Sequence, residues 1–476
     1  MKVLFVASEC HPFIKTGGLG DVAYALPKAL KKAGIDVRVM IPKYSAIAEK
    51  YKKKITDICN FTVSVGWRDQ YCGLQYLEED GIPFYFIDNE YYFKREGIYG
   101  HYDDGERFAY FCRAVVQSIN YLEDFLPDVI HCNDWQTGMI PLLRSEFNIG
   151  NDIYDNIKTV FTIHNLQYQG IFPKQALGEL LNLGWEYYTE EKAKYFDGIS
   201  FMQAAINYAD AVTTVSESYA EEIKTPYYGE RLDGLIRSKS DILYGIVNGI
   251  DYDIFNPATD KNILINYDEN TVENKDKNKI DLQKTLELTV NKDIPMIGLV
   301  SRLVGQKGID LIACIMNEIM VQNVQLVILG TGDKKYEEMF KYYSEVYRGK
   351  LSANIFFNNS LAQRIYASSD MFLMPSMFEP CGIGQLIALR YGTVPIVRET
   401  GGLKDTVSPF NELTQKGNGF CFSNYNAHDM LYTINRALYF YNNNKDMWNN
   451  LRKNGMEQDN SWSKSADKYI ELYDSL

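Results

Sequence analysis

Lys15, Gly17, Gly18 and Asp21 stand together near the start of the chain, in the run Lys15-Thr16-Gly17-Gly18-Leu19-Gly20-Asp21-Val22. An apolar stretch, Val3-Leu4-Phe5-Val6-Ala7, precedes them and reads as a buried parallel strand. The stretch Ala23 to Ala33 follows and reads as a helix. A glycine-rich turn between strand and helix brings backbone N–H groups close to an anion, with the positive end of the helix dipole behind them. Lys15 adds a full charge at the mouth. The chemistry this pattern serves is the binding of a phosphate. The same residues also suit a structural turn, and Gly18-Leu19-Gly20-Asp21-Val22-Ala23 fits the loose dinucleotide pattern G-x-G-x-x-G/A, which is weak evidence by itself. A dinucleotide site wants an acid at the end of the next strand to hold a ribose. That strand, Asp36-Val37-Arg38-Val39-Met40-Ile41, runs into Pro42-Lys43 and carries its acid at the opposite end, which disfavours a nicotinamide enzyme.

A second anion-type cluster occupies the other half of the chain. Val300-Ser301-Arg302-Leu303 follows a strand, with Lys307-Gly308 shortly after it. Arginine offers a planar fork to phosphate and lysine a compact charge. Leu329-Gly330-Thr331-Gly332-Asp333 is another strand-then-glycine turn. Pro375-Ser376-Met377-Phe378-Glu379-Pro380-Cys381-Gly382-Ile383-Gly384 puts a carboxylate and two glycines between a strand and a helix. Any one of these cations alone reads as a solvated surface charge. Together they place phosphate-type loops at strand C-termini in both halves, and a cleft between domains is a common ligand site.

The elements that must position these residues alternate along the chain. Strands are expected at Val3–Ala7, Val37–Ile41, Phe84–Asp88, Val129–Cys132, Thr159–Ile163, Ala211–Val215 and Leu243–Ile246, and again at Met296–Val300, Val324–Leu329, Ile355–Phe357, Met371–Met374 and Thr393–Val397. Their continuous apolar cores suit parallel sheets covered on both faces. Residues Arg107 to Phe125 carry helical spacing, and Leu264 to Leu288 read as a polar loop leading into a helix. Asn133-Asp134-Trp135 and His164-Asn165 each sit just past a strand end, the edge where ligands bind in open α/β sheets. The expected class is α/β, with a first domain over 1–245, a second over 246–457, and a tail at 458–476. The tail's amphipathic stretch, Ser461 to Leu476, is expected to return to the first domain.

Composition limits the partners. A chain of 476 residues exceeds one ordinary core. A net charge of -13 disfavours nucleic acid, because a phosphate backbone calls for a positive surface. Eight scattered cysteines without a C-x-x-C suit a reducing cytoplasm and argue against a zinc site or a disulfide framework. The chain starts directly with a strand, so no signal peptide is expected. No apolar run approaches the ~20 residues of a membrane helix. The 36 tyrosines could stack on sugar rings or serve as ordinary core and surface residues.

Taken in order, the motifs resemble those of the bacterial glycogen synthases and plant starch synthases, the retaining glucosyltransferases of family five. The motifs are Lys15-Thr16-Gly17-Gly18-Leu19-Gly20-Asp21, His131-Cys132-Asn133-Asp134-Trp135, Thr162-Ile163-His164-Asn165, Val247-Asn248-Gly249-Ile250-Asp251, Ser301-Arg302-Leu303 with Gln306-Lys307-Gly308, Phe378-Glu379-Pro380-Cys381-Gly382, and Thr400-Gly401-Gly402-Leu403. The resemblance covers the whole chain. It implies the GT-B architecture, two Rossmann-like doubly wound domains facing a deep cleft, with ADP-glucose held mainly by the second and an α-1,4-glucan entering from the first. Arg302 and Lys307 are implied to hold the diphosphate and stabilise the charge that grows as ADP leaves, without a metal or other cofactor. Lys15 with the Gly17–Gly18 backbone would approach the same diphosphate. Glu379 would bind sugar hydroxyls beside Cys381, Gly382, Ile383 and Gly384. His164, Asn165 and Asn248 would line the glucose, and Gly330 and Phe357 would lie on the nucleotide side. Asp134, Trp135, Asp21 and Glu9 would face the reacting sugar and the acceptor.

Other readings of these residues fare less well. Asp251-Tyr252-Asp253 spells the D-x-D metal motif of a different glycosyltransferase architecture, but it follows an Asn-Gly turn that the resemblance already explains. Cys381 has no supporting base in Cys132 or Cys10. Ile387 occupies the second acidic position of the E-x7-E pattern of sucrose-synthase-like enzymes. The chain departs from its relatives at Gly384, where many have Thr, at Val304-Gly305, and at Phe357-Asn358-Asn359-Ser360, all around the nucleotide. The alternatives are a GT-B enzyme using UDP-glucose or another acceptor, and a glucan-binding protein without catalysis. Intact Lys15, Arg302, Lys307 and Glu379 speak against the second. For retention, no confident nucleophile is found; Asp134 reads as positional, which favours front-face attack over double displacement.

Overall fold

Val3–Val6 are fully buried, and this apolar strand is flanked on both sides by parallel neighbours. The computed structural model describes residues 1–122, 124–147 and 151–476. The chain divides into two units, Met1–Asn248 with Trp462–Leu476, and Gly249–Ser461. In chain order the strands of the first unit are β1 (Lys2–Val6), β2 (Asp36–Pro42), β3 (Thr56–Val65), β4 (Arg68–Glu79), β5 (Ile82–Asp88), β6 (Val129–Asn133), β7 (Lys158–Ile163), β8 (Ile171–Pro173), β9 (Lys194–Tyr195), β10 (Gly198–Ser200), β11 (Ala211–Thr214) and β12 (Leu243–Gly245). The main sheet runs β12-β11-β7-β6-β1-β2-β5-β4-β3. It is parallel from β12 to β5, and the antiparallel hairpin β3–β4 extends its edge. Strand order reverses at β1, which lies between β6 and β2, so the loops after β1 and β6 open at a topological switch point. The short strands form their own sheet, β8-β10-β9.

The hairpin β3–β4 and the β8–β10 sheet were not expected from the apolar runs. The helix expected from Arg107 runs Asp104–Ser118 and continues as a short 3-10 turn, Ile119–Tyr121; Glu123 of the expected span falls outside the described residues. The tail helix Trp462–Asp474 belongs to the first unit and packs on the helix Gly18–Lys32. Trp462, Ala466, Tyr469 and Tyr473 recur at helical spacing on its buried side.

The second unit holds β13 (Met296–Val300), β14 (Gln325–Leu329), β15 (Leu351–Asn354), β16 (Met371–Met374), β17 (Val394–Arg398) and β18 (Phe420–Phe422), in the order β15-β14-β13-β16-β17-β18. All its pairings are parallel. Here the order reverses at β13, so the loops after β13 and β16 face the switch point. The strand expected at Ile355–Phe357 lies instead at Leu351–Asn354, registered on β14 from Leu326↔Leu351 to Leu329↔Asn354. As a four-residue edge strand, Leu-Ser-Ala-Asn, it carries no continuous apolar run, and the run that follows it is in a loop, with Phe357 77% exposed. The polar segment before β13 contains the helix Lys275–Thr285, which buries two cations. Lys275 Nζ donates to the carbonyls of Tyr366 and Tyr391 and to the Thr393 hydroxyl, while Lys279 pairs with Asp370 at 2.7 Å. One face of this charged helix, Lys275, Asn278, Lys279, Leu282 and Gln283, is thus buried, and its polar groups find fixed partners there.

Candidate active site

In the first unit, Glu9 lies just past β1 and is buried, 2% exposed. Its carboxylate accepts the Thr16 N–H at 2.5 Å and the Thr16 hydroxyl at 2.8 Å, folding the glycine-rich loop back over the strand end. Burial pushes the Glu9 carboxyl above its ordinary value, Thr16 pulls it back, and Asp21 pushes it further up. Gly17 is the N-cap of the helix Gly18–Lys32, and no side chain caps this end. Lys15 Nζ lies 2.6 Å from Asp21 Oδ1, both partly exposed. The predicted phosphate loop therefore combines an open helix N-terminus with one cation and two nearby carboxylates.

Asp134 follows β6 with φ at 57°, a left-handed backbone that a non-glycine residue seldom adopts. Its Oδ1 accepts the His164 N–H at 2.8 Å and the Asn165 N–H at 3.4 Å, tying the β6 and β7 loops together. Burial raises its carboxyl to about 7, against these two hydrogen bonds, with Glu9 adding to the rise. The folded chain thus binds a proton here that an unfolded Asp releases near pH 4, so stability falls as pH rises from about 4 to about 7. Asp134→Asn keeps an acceptor and removes that cost. We expect it to be more stable than the parent at pH 8, by about 4 kcal/mol, and nearly equal to it below pH 4, in denaturant melts.

His164 Nε2 is 2.8 Å from Asn133 Oδ1, and burial lowers its imidazolium to about 3, so the ring is neutral at physiological pH. Trp135 is partly buried, its ring 5.2 Å from Phe108 and 5.7 Å from Phe172, which fixes the loop after β6 by packing. Asn165 Oδ1 accepts the Gln167 N–H. Asn248 is buried and its Oδ1 has no partner among the described residues, an acceptor that a ligand hydroxyl would satisfy.

In the second unit, Arg302 follows β13 on an exposed turn, and its guanidinium has no partner among the described residues. Lys307 Nζ contacts Glu379 Oε2 at 2.6 Å, and the Ser376 hydroxyl donates to the same oxygen at 2.9 Å. Glu379 is 6% exposed, and its Oε1 has no partner among the described residues. The two loops that carry these groups are sewn together. Met377 N–H donates to the Gln306 carbonyl at 2.8 Å and the Gln306 amide to the Phe378 carbonyl. Gly308 adopts φ of 71°, and a Cβ there would stand 2.1 Å from the Pro375 carbonyl oxygen. Gly308→Ala is expected to cost this unit roughly 2–4 kcal/mol, read as a drop in melting temperature together with loss of transfer activity. Gly401 does similar work from the other side: at φ of 45° an added Cβ would stand 2.1 Å from the Glu379 carbonyl oxygen, and Gly402 N–H donates to that oxygen at 3.1 Å. The Thr400-Gly401-Gly402 motif thus holds the Glu379 backbone.

Gly330 N–H donates to the Asn354 carbonyl beside the Arg302 turn. Cys381 is buried, and Gly382, Ile383 and Gly384 lead into the helix Gly384–Arg390. A Cβ on Gly384 would meet Phe372 at 3.0 Å and the Tyr366 hydroxyl at 3.2 Å, so these aromatics occupy the space that a Thr would need. Sequence reasoning gave no role to Thr16, Asn133, Ser376 or Gln306. All four lie inside the quoted runs, yet only the fold shows which polar group each one holds.

Among the described residues there is no cluster of His, Cys, Asp or Glu arranged to hold a metal, and no helix long and apolar enough to cross a membrane. Residues 2–238 match the family described as starch synthase catalytic domain, and residues 284–457 match glycosyl transferases group 1. The chain is 64% identical to a glycogen synthase of Clostridium acetobutylicum, covering 100% of both, and 60% identical to a glycogen synthase of Clostridium novyi, covering 100% of this chain and 99% of the relative. Its fold is similar to the catalytic domain of starch synthase IV from Arabidopsis thaliana bound to ADP and acarbose, with a TM-score of 0.93 and 32% identity over 99% of this chain and 98% of that one.

Proposed function

The chain is a GT-B glucosyltransferase belonging to the glycogen synthase family, and from that premise we propose that it moves glucose from ADP-glucose to the non-reducing end of an α-1,4-glucan, with retention at the anomeric carbon. The observation that carries this reading is the polar set at the switch point of the second unit. A buried Glu379 has one oxygen fixed by Lys307 and Ser376 and the other open, and an unpartnered Arg302 lies on the same loop as Lys307. An unpaired guanidinium suits a diphosphate, and an open carboxylate oxygen suits sugar hydroxyls.

In this reading the bond between the anomeric carbon and the β-phosphate oxygen breaks, and the acceptor O4 bonds to that carbon. Its proton passes to the departing phosphate. Arg302 and Lys307 stabilise the charge that builds on the leaving group, and these cations make a metal unnecessary; in the first unit, Lys15 is the cation offered to a phosphate. Transfer is then unaffected by a chelator. In the second unit Glu379 Oε1 is offered to sugar hydroxyls and Phe357 to the adenine; in the first unit neutral His164 and the unpartnered Asn248 Oδ1 are offered to the glucose. Glu9, Asp21, Asp134, Trp135 and Asn165 make up the acceptor side. Front-face attack fits Asp134, whose Oδ1 is engaged by two backbone N–H groups. A covalent glucosyl adduct trapped on Asp134 would contradict it. The donor is tested by assaying ADP-glucose and UDP-glucose side by side with glycogen as acceptor. ADP-glucose is expected to be strongly preferred; turnover with UDP-glucose alone would overturn the donor assignment.

A further inference from the structure

We propose that Asn133 is a positioning residue that locks His164 in one tautomer, with the proton on Nε2 and a bare Nδ1 kept as acceptor for a substrate hydroxyl. The hydroxyl part rests on the functional reading above; the tautomer part stands on geometry alone. Asn133 is the last residue of β6 and is fully buried. Its amide nitrogen donates to the Val6 carbonyl at 3.0 Å and lies 3.4 Å from the His131 carbonyl. Both are acceptors only, so a flipped amide would set an oxygen against two carbonyl oxygens in the interior. The amide orientation is therefore fixed by the sheet. That leaves Oδ1 facing His164 Nε2 at 2.8 Å. An amide oxygen can only accept, so Nε2 must carry the hydrogen.

The consequence falls on the other nitrogen. His164 is partly exposed at the C-terminal edge of β7, and Nδ1 has no partner among the described residues. Burial keeps the ring neutral, so Nδ1 holds a lone pair and not a proton. The groups near the ring agree with this. Asp134 accepts the backbone N–H of His164, His131 lies two residues before Asn133 and is itself held neutral by burial, and the Tyr219 hydroxyl accepts the Leu166 N–H on the same loop. The path from fold to site is short. Val6 at the end of β1 and the β6 backbone hold the amide, the amide holds the imidazole, and the imidazole presents an acceptor at the switch point. A ring free to exchange tautomers would offer a donor part of the time, and a sugar hydroxyl would meet it in the wrong register.

The test is nitrogen-15 NMR of the full chain labelled at its five histidines, with His164 assigned by loss of its signals in His164→Gln. Across the range from about pH 5 to about pH 8, where an ordinary histidine titrates, His164 is expected to show a protonated Nε2, a bare Nδ1 and no titration. Saturation with ADP-glucose and a short maltooligosaccharide is expected to shift Nδ1 as it accepts a hydrogen bond. Asn133→Ala removes the oxygen that holds the Nε2 hydrogen and sets no new oxygen against the Val6 and His131 carbonyls. It is expected to let the proton exchange between Nε2 and Nδ1, read as intermediate nitrogen-15 shifts at both ring nitrogens, a signature that mere loosening of the loop would not produce. A proton found on Nδ1 in the parent chain, which needs no variant to fold, would overturn the proposal. So would an Asn133→Ala protein whose His164 keeps the single Nε2-protonated form. A bare Nδ1 that ignores substrate, in a chain that still transfers glucose, would overturn its acceptor role. A chain that transfers no glucose would remove the functional reading while leaving the tautomer result to stand.

Discussion

Arg302→Ala is expected to lower kcat about 10²–10³-fold, the scale of losing one preorganised charge from a developing anion, while leaving the fold intact. The prediction is sharp because Arg302 is exposed and its guanidinium has no partner among the described residues. Its removal breaks no ion pair and opens no cavity, so stability should stay within about 0.5 kcal/mol of the parent. A residue with no structural employment and a large kinetic effect can only be acting on substrate. Arg302→Lys keeps charge but loses the bidentate fork, and should recover part of the rate. Steady-state kinetics beside a thermal melt read both quantities. A destabilised Arg302→Ala with normal kcat would mean that the side chain serves the fold.

Lys307→Ala has the larger combined effect. Lys307 and Glu379 form an ion pair whose side chains are only 17% and 8% exposed. Removing one partner strands a carboxylate in the interior, at a cost of about 3–5 kcal/mol. Turnover should fall at least as far as in Arg302→Ala, because Glu379 loses the group that fixes Oε2 and the leaving group loses a cation. Lost stability and lost chemistry are separable. The double variant Lys307→Met with Glu379→Gln removes both charges, and should regain most of the melting temperature with none of the activity. A double variant that regains activity would show that the pair only holds the loops after β13 and β16 together.

Much of this molecule was legible before its fold was described, and the physical reason is the parallel sheet. Strands buried on both faces read as continuous apolar runs, as Val3–Val6 and Met296–Val300 do. The loops at their C-termini are where chemistry collects, so Asp134, Arg302 and Glu379 were singled out by their place past a strand end, while Glu9 came only from the family resemblance. What escaped lies where that signal fails. In the hairpin β3–β4 only Phe61 to Val65 alternate, after an exposed start, and its two-residue turn, Gly66-Trp67, was the available clue, with glycine at φ of 60° in the first turn position. The β15 edge strand was displaced by the more apolar Ile355-Phe356-Phe357 beside it. The segment Leu264 to Leu288 read only as a polar loop leading into a helix, and the burial of its Lys275 and Lys279 escaped because only the fold supplies the carbonyls that hold them. Supporting contacts such as Ser376 to Glu379 and Asn133 to His164 depend on distances that no spacing rule encodes.

The central claim, glucose transfer with retention onto an α-1,4-glucan, is tested most directly by following one reaction with proton NMR. ADP-glucose and a short maltooligosaccharide are incubated with the full chain, and ADP release is counted against newly formed linkages. The account predicts one new α-1,4 linkage at the non-reducing end for each ADP released, with no chelator sensitivity. Linkages in the β configuration, or ADP released without chain growth, would contradict it.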